Sequence, residues 1–193
     1  MKFFCLFILT MIVSQVVFSQ ETDSLKKGSL MISGSLDAYY RYNFKNAKDS
    51  ARTNNFTSFT NSQNSFELGM ASMKADYIIG KVEGVADLGF GRRAEEFSYN
   101  DKGTLAAIKQ AYVSYAPSDK VKFTLGKWGT HVGYELLDAC LNRNYSMDYM
   151  FTYGPFFHTG LKADITLNSN FGFMLGVANP ADKWFICCKV SDY

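Results

Sequence analysis

The strongest regularity in this chain is alternation. In "ISGSLDAYYRYNF", from Ile32 to Phe44, one face carries Ile32, Gly34, Leu36, Ala38, Tyr40, Tyr42 and Phe44, and the other Ser33, Ser35, Asp37, Tyr39, Arg41 and Asn43. A period of two predicts a strand. This run is longer than the usual strand of about 5–6 residues and fits a tilted strand that crosses a bilayer in about 9–11. "KVEGVADLGFG" sets Val82, Ala86, Leu88 and Phe90 against Glu83 and Asp87, and "VKFTLGKW" sets Val121, Phe123 and Leu125 against Lys122, Thr124 and Gly126. "HTGLKADITL" and "FGFMLGVA" repeat the design, with Leu161, Ala163 and Ile165 opposite Lys162 and Asp164, and Phe171, Phe173 and Leu175 opposite Gly172 and Met174. Each strand has one greasy and one polar or small face, as a membrane barrel requires.

Two segments are less regular. "SFELGMASMKADY" starts with Phe66, Leu68 and Met70 on one parity and continues with Met73, Ala75 and Tyr77 on the other, which predicts a bulge between Gly69 and Ser72. "LAAIKQAYVSYA" opens with helix formers and ends in alternation, so its second half reads as strand. The connections alternate long and short: a polar segment after Phe44, then "IIG", "RRAEEFSYNDKG", "PSDK", the segment from Thr130 to Thr152, and "NSN". Short periplasmic turns and longer outer loops produce this rhythm. The pattern predicts an all-β, antiparallel up-and-down transmembrane β-barrel with seven or eight strands present, the eighth in "KWFICCKVSDY".

The first residues, "MKFFCLFILTMIVSQVVFSQ", have a basic Lys2, an apolar run from Phe3 to Phe18, and Val17 and Ser19 at the minus-three and minus-one positions before Gln20. This is the layout of a secretory signal peptide over residues 1–19. The remaining divisions follow as a periplasmic segment at 20–29, the barrel at 30–184 and a divergent tail at 185–193. The whole chain of 193 residues carries a formal charge of +2, which becomes +1 when Lys2 is removed. Its basic residues are scattered among acids, so nothing marks a nucleic-acid partner. Cys140, Cys187 and Cys188 are an odd set beyond the leader and form no disulfide framework.

"NSFELGMASMKADY", "VADLGFGRRAEEF", "LGKWGTHVGYE" and "GPFFHTGLKADITL", the last followed by "LGVANP", carry a resemblance. From about Leu30 to Trp184 the chain resembles the OmpL-like β-barrel porin family of bacterial outer membranes. The resemblance implies an outer-membrane location, insertion by the barrel-assembly machinery, contact with outer-membrane lipid, and passive diffusion of small hydrophilic solutes. Family members look longer, and here "FICCKVSDY" replaces the continuation from Phe185. That implies a truncated or frameshifted copy holding part of a larger barrel.

Competing chemistry has little support. "GFGRRA" matches a dinucleotide fingerprint, but the fingerprint needs a following helix and an acid about 20 residues on; "EEFSYNDKG" follows, with Lys109 at the acid's place. His131 and Glu135 are four apart, yet two glycines surround the histidine and a metal site takes three or four ligands. There is no Gly-x-Ser-x-Gly elbow or paired-acid motif, so the chain reads as no enzyme and needs no cofactor. Asn55 and Asn144 head sequons that only eukaryotic processing would use.

The polar faces nominate Asp37, Arg41, Glu83, Asp87, Lys122, Lys162 and Asp164 as pore-lining, and their mixed signs predict little charge preference. Arg92, Arg93, His131, Glu135, Asp138 and Arg143 are nominated for the pore mouth or a constriction. Within the long Thr130–Thr152 loop, "YELLDACL" reads as helix-compatible. A loop of this length in a compact protein is commonly functional, and folding inward would narrow the pore. On the same reasoning an Arg at Leu161 should be costly and an Arg at Gly160 tolerated. Two rival functions remain open: a non-conducting barrel acting as structural anchor or adhesin, and a secreted soluble β-barrel that binds a ligand.

Overall fold

A computed structural model describes residues 27–42, 44, 58–60 and 62–180. Seven antiparallel strands form one sheet in sequence order, each paired with its neighbours in the chain: β1 (Ser29–Arg41), β2 (Ser65–Ile79), β3 (Val82–Phe90), β4 (Ile108–Ser118), β5 (Val121–Gly129), β6 (Phe157–Asn168) and β7 (Phe171–Ala178). Among the described residues the sheet is open, with β1 and β7 as its edges. The expected leader, Cys187, Cys188 and the eighth strand expected in "KWFICCKVSDY" lie outside the described residues.

Alternation sets the two faces. Leu36, Phe66, Phe123, Leu125, Leu161, Phe173 and Leu175 are all exposed on one face. On the other, backbone partners place polar residues side by side in belts. Glu83 faces Ser114, Ser114 faces Thr124, and Thr124 faces Lys162. Lys74 faces Asp87, which faces Gln110. Hydrogen bonds run along these belts, from Lys122 Nζ to Glu83 at 2.6 Å and between the Ser114 and Thr124 hydroxyls at 3.1 Å. An exposed apolar face opposite a bonded polar one is the arrangement of a strand wall between lipid and water.

The bulge expected in β2 is present. Asp37 pairs with Met70 and Ala38 with Leu68, leaving Gly69 as the extra residue. The insertion keeps Phe66 and Leu68 on the same face as Met73 and Tyr77, and turns Met70 into the loop core, where it is 2% exposed. Other boundaries shift. β1 begins at Ser29 and ends at Arg41, short of Phe44, and β2 runs through Ile79, so the "IIG" connection shrinks to Gly80 and Lys81. Gly80 takes φ 58°, the left-handed conformation that so tight a turn demands.

All three short turns lie at one end of the sheet and all three long connections at the other. A short helix, α1 (Arg92–Phe97), directly follows "GFG", where the sequence reading expected none. It is a loop helix of 6 residues between antiparallel strands, not the long crossover helix of a dinucleotide site. "YELLDACL" forms no helix beyond a 3₁₀ turn at Ala139–Leu141; the helix of that connection is α2 (Tyr149–Tyr153), capped by Asp148, whose carboxylate accepts from Phe151 N at 2.7 Å. Among the described residues no helix is long and apolar enough to cross a membrane, which says nothing about crossing by strands.

Candidate functional site

The long connections gather into a core of their own. Phe59, Ala94, Phe97, Leu137, Met147, Phe151 and Phe156 from the loops pack with Met70 at the β2 bulge and Phe157 at the start of β6. The rings interlock, with Phe59–Phe156 centroids at 5.2 Å and Phe97–Phe157 at 5.5 Å. Loop residues that bury aromatics this completely have given up independent motion, because exposing any one of them uncovers its neighbours.

Three buried cations tie this loop core to the sheet. Arg93, from α1, is 0% exposed. Its guanidinium donates to Leu137 O at 3.3 Å and Tyr145 O at 3.1 Å, and lies 5.0 Å from the Tyr145 ring. Asp37 of β1 stands 3.9 Å from Arg93 Nε, close enough for charge attraction. Lys109, from β4, donates to both carboxylate oxygens of Asp138 at 2.9 Å and lies 3.2 Å from Asp87. Lys127, from β5, donates to Asp101 Oδ2 at 2.9 Å, with its ammonium 3.8 Å from the Phe157 ring centroid. Each cation is desolvated, so each needs its carboxylate, carbonyls or ring face in place of water.

The connection from β5 to β6 crosses the polar face of the sheet. Tyr145 donates its hydroxyl to Asp37 of β1 at 2.7 Å, and Asp138 reaches Lys109 of β4. Burial first, and then the hydrogen bond to Asp37, push the Tyr145 hydroxyl well above the ordinary phenol range. The connection is internally braced: Glu135 accepts from Asp148 N at 2.7 Å, and the Asn142 side chain bonds both Leu136 N and Leu136 O.

A family model described as "Putative beta-barrel porin-2, OmpL-like" matches residues 29–189. The chain belongs to this family. No curated protein and no solved structure gives a match. Membership makes the all-β sheet a porin-type barrel wall and implies an outer-membrane location.

Within this porin-type wall, most of the nominated pore-lining residues form pairs. Glu83 pairs with Lys122, and Lys162 with Asp164 at 3.1 Å. Asp87 joins Lys109 and accepts from Gln110 at 3.2 Å, Asp37 receives Tyr145, and Arg41 donates to Thr60 O. Of the pore-mouth residues, Arg92 pairs with Glu96 one helical turn on at 3.5 Å. Arg93 and Asp138 belong to the buried clamps, and Glu135 is buried at 5% exposure. His131 is exposed and stacks on His158 at 4.4 Å, whereas the Glu135 carboxylate accepts from Asp148 N, and Arg143 is exposed on the loop.

Sequence reasoning missed Lys109 and Lys127. Lys109 stands between Ile108 and Gln110 and Lys127 between Gly126 and Trp128, and the loops supply Asp138 to the first and Asp101 to the second. Their one sequence signal is a lysine with no acid in the adjoining strand positions.

Glycines account for a further departure. Gly126 and Gly160 face each other across β5 and β6. Before them Leu125 and Leu161 are exposed; beyond them Lys127 and Phe157, which continue the same parity, are fully buried. Gly126 has φ 136°, and a Cβ there would come within 2.6 Å of Tyr112 Cα. A Cβ on Gly160 would press into Val177 O and come within 2.6 Å of Ala178 Cα, so the arginine expected to be tolerated there is excluded by backbone contact.

Proposed function

We propose that the protein is a diffusion porin for small hydrophilic solutes, placed in the outer membrane after export by its leader and narrowed at its outer mouth by the 130–156 connection. The observation that carries this reading is the reach of that connection, which leaves β5 and bonds to Lys109 of β4 through Asp138 and to Asp37 of β1 through Tyr145. A segment laid across the polar face reduces the water-filled section and brings a mixed set of charges to it, which favours size selection over charge selection. Liposome swelling with sugars of graded size tests conduction, and single-channel recording with residues 136–146 deleted tests the narrowing. Unchanged conductance and ion selectivity after the deletion would refute the constriction.

The aromatic cluster of the loops favours a second reading, a non-conducting barrel that serves as anchor or adhesin, because its rings fill the space between the long connections. Absence of swelling with the smallest sugar, from a protein that shows heat-modifiable gel mobility, would select it. A soluble secreted barrel would instead leave the membrane fraction without detergent.

A further inference from the structure

A cleft of about 440 Å³ opens on the outer side of the loop core, lined by Ser58, Glu96, Tyr99, Thr152, Tyr153, Gly154 and Phe156. Its volume lies within the usual 300–1,000 Å³ of small-molecule sites. Two tyrosines line it, Tyr99 59% and Tyr153 72% exposed, together with the buried Phe156. Both rings are braced by a second aromatic, Tyr99 edge-on against Phe156 at 5.7 Å and Tyr153 stacked on Tyr149 at 6.2 Å. Braced aromatic faces lose little further freedom when a ligand stacks on them.

The polar groups are fixed as well. Glu96 accepts from Phe59 N at 2.6 Å and is steadied by Arg92 at 3.5 Å. Thr152 Oγ1 accepts from Ser58 N at 3.3 Å and donates to Asp148 O at 2.8 Å. The cleft thus combines exposed aromatic faces, one carboxylate and hydroxyls, and among the described residues Glu96 is the only charged one that lines it.

We propose that this cleft binds a neutral carbohydrate. A pyranose has an apolar face of C–H groups that lies flat on a tyrosine ring, and a rim of adjacent hydroxyls that donate to a carboxylate. Among the described residues no cation lines the cleft to hold an anionic solute, and the flanking rings exceed what a featureless polyol such as a glycol would use. The site stands at the end bearing the long connections, where solute would arrive. It deepens the porin reading by naming a solute class captured ahead of the pore.

Saturation-transfer NMR of the full chain in detergent micelles tests the proposal, with maltose as probe and triethylene glycol and glucuronate as controls. Transfer to the ring protons of maltose should exceed that to either control. It should fall at least five-fold in Tyr99→Ala/Tyr153→Ala and in Glu96→Gln, and persist in Tyr134→Ala, an exposed tyrosine outside the cleft. Heat-modifiable mobility of each variant identifies those that remain folded. Maltose signals no stronger than those of triethylene glycol, stronger signals from glucuronate, or full signals in a folded Tyr99→Ala/Tyr153→Ala variant would each overturn it. Liposome swelling keeps the two readings apart: maltose permeation without specific transfer removes the cleft and leaves the pore, and specific transfer without permeation does the reverse.

Discussion

Lys127 and Asp101 form a sealed ion pair at 2.9 Å, with side chains 0% and 5% exposed, joining the end of β5 to the connection that follows α1. Removing one partner strands a charge away from water, at a cost of about 3–5 kcal/mol, whereas replacing both by apolar residues can be neutral. Lys127→Met alone should lower the urea midpoint of the micelle-held protein sharply. Lys127→Met/Asp101→Leu should recover most of the loss. Equal midpoints for the single and double variants would show that the charges are not coupled.

Gly126 is the position where β5 requires glycine most directly. A side chain at φ 136° carries backbone strain of about 1–3 kcal/mol before any contact with Tyr112 is counted. Gly126→Ala should reduce the folded fraction on heat-modifiable gels, while Gly84→Ala, with open space where its Cβ would lie, should not.

On the exposed apolar face, Leu161→Arg should destabilise the membrane-inserted protein by about 2–4 kcal/mol if the residue lies near midplane. Met174→Arg, on the polar face opposite Asp164, should be accepted. Unfolding titrations in lipid vesicles compare the two, and equal costs would contradict the assignment of faces.

Asp138→Asn should free the middle of the 130–156 connection, because the amide cannot replace the carboxylate that receives Lys109 twice. Amide hydrogen exchange should accelerate over residues 135–148 while β4 and β5 stay protected. No change in exchange would mean that the apolar cluster alone holds the loop.

Tyr145 supplies an alkaline signature. Its folded-state value is raised above the 10.0 of an ordinary phenol, chiefly by burial and then by Asp37. The stability it adds is therefore complete below pH 10 and is lost as pH rises beyond it, since the unfolded phenol ionises first. Tyr145→Phe should remove this part of the alkaline destabilisation. The wild-type minus Tyr145→Phe absorbance difference should show one phenol titrating later than ordinary tyrosine.

The strand faces were legible because period two is a local property. Leu161, Lys162 and Ala163 announce out, in and out again from their immediate neighbours, and even the Gly69 bulge showed as a change of parity. The loop architecture was not legible, because its determinants are distant in sequence. Lys127 finds Asp101, Lys109 finds Asp138, and Arg93 finds carbonyls of residues 137 and 145. The α1 helix was hidden for a related reason: its 6 residues owe their order to the burial of Arg93, Ala94 and Phe97 among partners from other loops.

The direction of the outermost strands has a consequence for closure. Seven strands paired antiparallel in sequence order leave β1 and β7 pointing the same way. Joining those two edges directly would create a parallel seam, with slanted bonds in a wall otherwise built from perpendicular ones. A wholly antiparallel ring around this sheet therefore takes an odd number of additional strands, whatever molecule contributes them.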